Sequence, residues 1–251
     1  MNEDARPPDF FLVIPSYNES GRLPAYLSSL LENLSALPFS TVVRVVDDGS
    51  DTGDLESLKK MQRFPQTTGN CKCPAILELP KNLGKGNAIL EGWQSSGGAA
   101  WVAFVDADGS IPPEEVCRLF QLARQNPGFS LFASRVKMLG RKVERKFSRH
   151  LLGRFFAAMV GCSICPDIYD SQCGFKIIPR EHYNRISTLL TERKFAFDLD
   201  LLMALLSNQL PVIEVPIDWL ERKGSKVKVL RDSLALAASV LRLKRKYQPW
   251  T

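Results

Sequence analysis

Short runs of β-branched and aromatic residues, each stopped by a polar turn, recur through the first 135 residues of this chain. They are Phe10–Ile14, Val42–Val46, Ala75–Leu79, Trp101–Val105 and Phe129–Ala133. Between them lie stretches with helical spacing. Arg22–Leu34 carries Leu23, Leu27, Leu30, Leu31 and Leu34, and Asn87–Gln94 follows a Gly-rich turn. Glu114–Gln125 begins after Pro112 and Pro113, where a missing N–H costs little. Buried strands alternating with amphipathic helices are the pattern of βαβ units, so the chain is expected to build an α/β fold around a mostly parallel sheet. Beyond residue 135 the reading expects a strand near Phe175–Ile178, a core helix at Phe197–Ser207, a strand at Val212–Ile217 and an amphipathic helix over Leu230–Tyr247.

Each conspicuous polar cluster follows the carboxyl end of an expected strand, the edge where open α/β sheets bind ligands. Asp106 and Asp108 leave the Trp101–Val105 run one residue apart, so their carboxylates are expected to converge. A hard divalent cation, Mg2+ or Mn2+, takes oxygen ligands from one or two carboxylates and completes its shell with phosphate and water. Asp47 and Asp48, followed by Gly49 and Ser50, read either as a turn or as acceptors for a ribose or base. After the first run, Pro15 is expected to fix the turn, Tyr17 to offer a face to a nucleobase and Glu19 to accept a hydrogen bond. Lys85 sits in a glycine-flanked turn that resembles a phosphate loop, but Gly86 stands where the Walker pattern needs Ser or Thr, and no G-x-G-x-x-G occurs.

Hydrophobic residues make up 45% and charged residues 24%, which excludes wholesale disorder. Charge is divided unevenly: residues 1–130 hold 11 Lys/Arg against 16 Asp/Glu, and residues 131–251 hold 22 against 11. An acidic half followed by a basic one calls for two partners, and for the basic half these are an anionic lipid surface or nucleic acid. Met1–Asp9 is polar and shows no apolar signal core, and the apolar stretch Phe155–Pro166 is about 12 residues, too short to span a bilayer. The six cysteines are therefore expected to be reduced cytosolic thiols. Cys71-x-Cys73 and Cys162-x-x-Cys165 lack a matching pair nearby and read as structural, as do His150 and His182.

Eight stretches taken in order make a specific pattern: V-I-P-S-Y-N-E (13–19), V-V-D-D-G-S (45–50), K-N-L-G-K-G (81–86), V-D-A-D-G-S (105–110), S-R (134–135), D-S-Q-C-G-F-K (170–176), F-D-L-D-L-L (197–202) and W-L-E-R-K-G-S-K (219–226). With them the chain resembles the family 2 glycosyltransferases of GT-A fold. More narrowly it resembles the polyprenyl-phosphate (dolichyl-phosphate) glucosyltransferases and mannosyltransferases. Gln172 to Phe175 and Trp219 to Lys226 resemble the glucosyl branch, and Ser110 stands where the mannosyl branch typically places a metal-binding Gln. The eukaryotic glucosyl branch carries an N-terminal membrane anchor, whereas this sequence starts just before its first strand, so anchoring is expected from elsewhere.

The resemblance implies one continuous GT-A domain with residues 1–135 as the nucleotide-sugar-binding half and 136–251 as the acceptor half. It implies an inverting hexosyl transfer from a nucleotide sugar, UDP-glucose first and GDP-mannose second, to a polyprenyl or dolichyl phosphate. Pro15, Tyr17, Glu19, Asp47, Asp48, Lys85 and Asp106 would bind the nucleotide. Asp106 and Asp108 would hold the divalent metal, Mg2+ or Mn2+, and with Arg135 would be the catalytic set. Arg135, Arg149, Ser225 and Lys226 would meet the acceptor phosphate, with Arg141 and Arg145 as further candidates. The stretches Lys137–Cys165 and Leu234–Trp250 suit interfacial amphipathic helices on an anionic membrane, placing the protein peripherally at a cytoplasmic face. Core packing of the same apolar residues is the alternative.

Two rival functions remain at this point. A glycosyltransferase acting on a non-lipid hydroxyl would need a general base, with Asp170 or Asp198 as the candidate. A nucleic-acid-binding protein would use the basic half but leave Asp47, Asp48, Asp106 and Asp108 idle. Replacing Asp108 by Ala is expected to abolish transfer with the fold intact, as read by turnover and circular dichroism. A variant that kept the wild-type rate in EDTA would remove the metal role.

Overall fold

The computed structural model describes residues 6–61, 66–144, 168–222 and 229–247. The strands are β1 (Phe10–Ser16), β2 (Thr41–Asp47), β3 (Gln66–Thr68), β4 (Cys71–Cys73), β5 (Leu77–Glu78), β6 (Trp101–Val105), β7 (Ser130–Ser134), β8 (Val143–Glu144), β9 (Phe175–Pro179), β10 (Val212–Pro216) and β11 (Trp219–Leu220). The helices are α1 (Leu23–Ser35), α2 (Thr52–Met61), α3 (Lys85–Gln94), α4 (Pro113–Gln125), α5 (Arg180–Ile186), α6 (Phe197–Ser207) and α7 (Val229–Lys246).

Among the described residues the main sheet has nine strands in the order β10-β7-β9-β6-β1-β2-β4-β3, with β5 also on β2. β1 lies parallel between β2 and β6, and β10 lies parallel to β7. β9 is inserted antiparallel between β6 and β7. Two apolar layers cover the faces. One gathers α1 and α4 side chains around Phe10, Leu12 and Ile14, and the other gathers α3 and α6 side chains around Phe11, Val13 and Phe104. Alternate residues of β1 thus feed opposite cores, as the period of a strand requires. Strands of residues 1–135 and 136–251 interleave in this one sheet, so the change in charge near residue 135 does not divide the core.

The expected α/β fold is present, with local corrections. β1 runs through Pro15, in register with Val46, rather than ending there. Pairing with β6 stops at Val13, so a residue without a donor sits where that side of the strand has no ladder left. The third strand shrinks to Leu77–Glu78, because a β3–β4 hairpin occupies the first half of β2 and leaves Val46 and Asp47 to pair with it. In the segment Lys137–Cys165, expected to suit interfacial helices, residues 137–142 are non-helical and 143–144 form a strand on Trp219–Leu220, while residues 145–165 lie outside the described residues. In α7 the side chains of Val240 and Leu243, and just past its end that of Tyr247, enter the core while Leu241 is exposed, and Trp250 lies outside the described residues. Among the described residues no helix is long and apolar enough to cross a membrane. Cys71 and Cys73 are buried free thiols, and His182 is buried with Nδ1 2.9 Å from the Ser130 hydroxyl.

Phe10 stacks on Phe120 at 4.2 Å between ring centroids and on Trp101 at 4.8 Å, tying the central strand to α4 and β6. Phe10→Ala is expected to lower unfolding free energy by about 3–5 kcal/mol in urea titration, the cost of an aromatic-sized cavity.

Candidate active site

The carboxyl ends of β1, β2, β6, β7 and β10 and the amino end of β9 share one edge of the sheet. The first two turns are stitched together there. Asp48 donates its N–H to Ser16 O at 2.8 Å, and Asn18 donates its N–H to the Ser50 hydroxyl at 2.8 Å. Asp47 accepts the N–H and hydroxyl of Ser50. Asp48 accepts the N–H groups of Leu83 and Gly84 at 3.0 and 2.8 Å, so it carries the turn before Lys85. A Cβ on Gly49 would lie 2.4 Å from the Lys81 carbonyl carbon, and φ there is +67°, so the approach of the two turns needs glycine. Asp47 and Asp48 are both buried, and in this structure they brace loops. Glu19 takes the guanidinium of Arg22, which places it at the start of α1, while Tyr17 is exposed at the rim.

Beyond β6, Asp106 donates its N–H to Gly174 O at 2.9 Å, and a Cβ on Gly174 would lie 1.9 Å from Asp106 Oδ2. Only glycine lets the two chains close here. Asp108 is half-buried and accepts the Ser110 N–H at 2.9 Å, so it also shapes its turn. Lys85, held by its glycine turn, places Nζ 2.8 Å from Asp106 Oδ1 and 3.3 Å from Asp198 Oδ2. Lys176, wholly buried on β9, donates to Asp198 Oδ1 and to the carbonyls of Ser171 and Cys173. A chain of alternating charge results: Lys176, Asp198, Lys85, Asp106.

The titration behaviour follows from this chain. Burial pushes the Asp106 carboxyl above the ordinary range, and the pull of Lys85 does not cancel it because Asp108 adds repulsion. Burial also pushes Asp198 up, but Lys176 and Lys85 together hold it below the ordinary range. Burial would discharge Lys85, and Asp106 and Asp198 keep it charged well above the usual lysine value.

On the other side of β9, Arg135 leaves β7 and forms a two-pronged pair with Asp170, Nε to Oδ2 and Nη2 to Oδ1, each at 2.7 Å. Asp170 also accepts the Arg135 N–H, and Glu214 on β10 accepts the N–H groups of Tyr169 and Asp170. The guanidinium lies 5.7 Å from the Trp219 ring centroid. Burial opposes ionisation of Asp170, but the adjacent guanidinium holds its carboxyl below the usual range. Arg141 is bound to Glu115 on α4 at 3.1 Å. Arg145, Arg149, Ser225 and Lys226 lie outside the described residues.

The structure brings Asp106, Lys85 and Asp198 together, with Asp108 beside Asp106. The sequence analysis gave no individual role to Lys176, Gly174, Arg22 or Tyr26. The buried Tyr26 hydroxyl has no hydrogen-bond partner among the described residues, and after burial itself Asp108 and Asp106 are the charges that most oppose its ionisation. A lysine inside the apolar run Phe175–Pro179 was the available signal for Lys176; Tyr26, among the leucines of α1, offered none. A shallow cavity of about 570 Å³ lined by Trp101, Pro179 and Arg180 lies at the opposite end of β6 and is separate from these groups.

The Glycosyl transferase family 2 model matches residues 11–187. The chain is 32% identical to human dolichyl-phosphate beta-glucosyltransferase over 247 residues, covering 94% of this chain and 75% of that protein. It is 29% identical to the Dictyostelium discoideum dolichyl-phosphate beta-glucosyltransferase, covering 94% and 74%. Among solved structures, glucosyl-3-phosphoglycerate synthase from Mycobacterium tuberculosis, crystallised with Mn2+, UDP-glucose and phosphoglyceric acid, superposes with a TM-score of 0.69 at 14% identity, covering 98% and 82% of the two chains. At that identity the likeness shows the fold, which is the GT-A sheet. The chain belongs to glycosyl transferase family 2 and is a glycosyltransferase.

Proposed function

We propose that the chain moves glucose from UDP-glucose to dolichyl phosphate or a related polyprenyl phosphate, with inversion, as a peripheral protein on the cytoplasmic face of an anionic membrane. The acceptor phosphate oxygen forms the new bond to the anomeric carbon as the bond to UDP breaks and UDP departs with that electron pair. The names of the curated relatives favour the glucosyl donor over GDP-mannose. One observation carries the choice of acceptor. Asp170 and Asp198, the candidate general bases, are each held ionised by a cation, Asp170 by Arg135 and Asp198 by Lys176 and Lys85. Carboxylates stabilised as anions are weak bases. A hydroxyl acceptor needs a base, whereas a phosphate monoester is already anionic at neutral pH, so catalysis becomes a matter of holding two anions together.

Asp106 and Asp108 would hold the divalent cation, and the donor set suits Mg2+ or Mn2+. Both ligands are hard oxygens, 36% of the Asp106 side chain is open, and glycine at 174 leaves room beside Oδ2. No group of three or more His, Cys, Asp or Glu ligands exists among the described residues, which leaves the remaining positions to phosphate and water. Such an ion supplies neutralisation of the departing diphosphate. Lys85, already on Asp106, lies where it can add a second positive charge to that diphosphate. Arg135, oriented by Asp170, would face the acceptor phosphate, and Arg149, Ser225 and Lys226, which lie outside the described residues, are proposed to meet the same phosphate.

Two outcomes test this reading. With polyprenyl phosphate and Mn2+ or Mg2+, mass spectrometry is expected to show UDP-glucose giving product at least about tenfold faster than GDP-mannose, the discrimination of a few donor contacts; a faster reaction with GDP-mannose overturns the donor. The second outcome concerns the Arg135–Asp170 pair. Because the folded carboxyl of Asp170 titrates below its unfolded value, its stabilisation is complete above that unfolded value, about 3.9, and fades as pH falls through the folded one. Asp170→Asn is expected to cost about 3 kcal/mol near neutral pH, and the gap to the wild type should close as pH drops below about 4. Urea titrations at stepped pH read this directly, and a gap unchanged at low pH removes the ion pair from the account.

A further inference from the structure

The end of α7 is far along the chain from the site, yet hydrogen bonds connect it to the turn that carries Lys85. Asp200 on α6 is wholly buried. Its Oδ2 accepts the N–H groups of Thr191 and Glu192 at 2.6 and 2.8 Å, and its Oδ1 accepts the Tyr247 hydroxyl at 2.6 Å and the Lys246 ammonium at 3.0 Å. Lys246 also donates to Leu189 O and to the Thr191 hydroxyl. Further up α7, Ser239 and Arg242 donate to the Glu192 carboxylate at 3.1 and 2.9 Å. Segment 189–192 is thus gripped by α6 and by the last turns of α7.

The continuation of that segment supports α3. Arg193 O accepts the Asn87 N–H at 2.8 Å, satisfying a first-turn donor that has no partner within its own helix. A Cβ on Gly84 would lie 2.7 Å from Arg193 O, and one on Gly86 would lie 2.9 Å from Glu192 O and 2.5 Å from Phe197 Cβ. Backbone packed this closely has no slack, so a shift of 192–194 moves the turn between those glycines, and Lys85 is the residue between them.

We infer that Asp200, Lys246 and Tyr247 are positioning residues for Lys85: the C-terminal helix latches segment 189–194, and that segment sets the ammonium between Asp106 and Asp198. A buried carboxylate is a costly way merely to pack a helix end, and it persists only when its acceptor sites are filled. Here the donors that fill them come from the segment and from the helix end together, so Asp200 binds the one to the other. The consequence for the donor rests on the reading that Lys85 meets its diphosphate.

The test uses the full chain with Tyr247→Phe and Lys246→Met, and Val240→Ala as a packing control on the same helix outside the latch. UDP affinity with Mn2+ is measured by calorimetry, and amide hydrogen exchange is followed at Asn87. Both latch variants are expected to weaken UDP about tenfold, the loss of one hydrogen bond to a charged group, and to speed exchange at Asn87. Val240→Ala is expected to lower Tm comparably while leaving both unchanged. Latch variants that match the control in either readout overturn the proposal. Lys85→Met separates the two readings: if it leaves UDP affinity at the wild-type level the donor assignment of Lys85 fails, and exchange at Asn87 then decides the latch by itself.

Discussion

The site depends on one buried sequence of alternating charges, from Lys176 through Asp198 and Lys85 to Asp106. Charges taken out of water cost several kcal/mol each unless a partner and further hydrogen bonds compensate them. Every member here has such partners. Lys176 is completed by two backbone carbonyls, Asp198 by two ammonium groups, and Lys85 by two carboxylates. Only the far end, Asp106, faces an opening and a second carboxylate, Asp108. The excess negative charge therefore lies at the mouth of the site, where in the proposed reading a divalent cation would offset it and make room for an anionic diphosphate.

This arrangement also explains which parts were legible beforehand. Periodicity reports burial, so β1, β2, β6 and β7 and the helix Phe197–Ser207 could be read from the sequence, while the short β3–β4 hairpin could not. Turn chemistry reports where polar groups leave a sheet, so Asp47, Asp106 and Lys85 could be placed on one edge. Partners are not written in periodicity. Asp48 reads as a ligand and serves as the brace for Leu83 and Gly84, because two backbone N–H groups from a turn 35 residues away take its oxygens. Glu19 reads as an acceptor for substrate and is taken by Arg22, three residues on. Lys176 reads as one polar residue in a strand, and its significance appears only when β9 lies between β6 and β7. The direction of β9 was equally hidden, since an apolar run looks the same read either way along a sheet.

That direction has a chemical consequence. Because β9 enters antiparallel, its first residues arrive at the edge where β6 and β7 end, and Gly174 meets Asp106 there. The strand also separates β6 from β7 by two interstrand spacings, about 10 Å in total. Asp106 follows β6 and Arg135 follows β7, so in the proposed reading the span between donor-side carboxylates and acceptor-side guanidinium is set by the sheet itself. A side chain at 174 would fill the beginning of that span, and glycine keeps it open.

Rigidity at the two ends of the span comes from different parts of the chain. On the donor side it comes from glycine turns packed against residues 192–194. On the acceptor side it comes from Glu214, which holds the backbone of Asp170, which in turn holds Arg135 over Trp219. In the proposed reading a guanidinium gripped at two of its nitrogens would lose little further freedom on meeting the acceptor phosphate, so less of the binding energy would go into ordering it. The same grip lowers the proton affinity of Asp170 and so makes it a poor general base. Orienting the arginine and removing a general base are consequences of a single ion pair, and a reaction between two anions has use for the first and no need of what the second takes away.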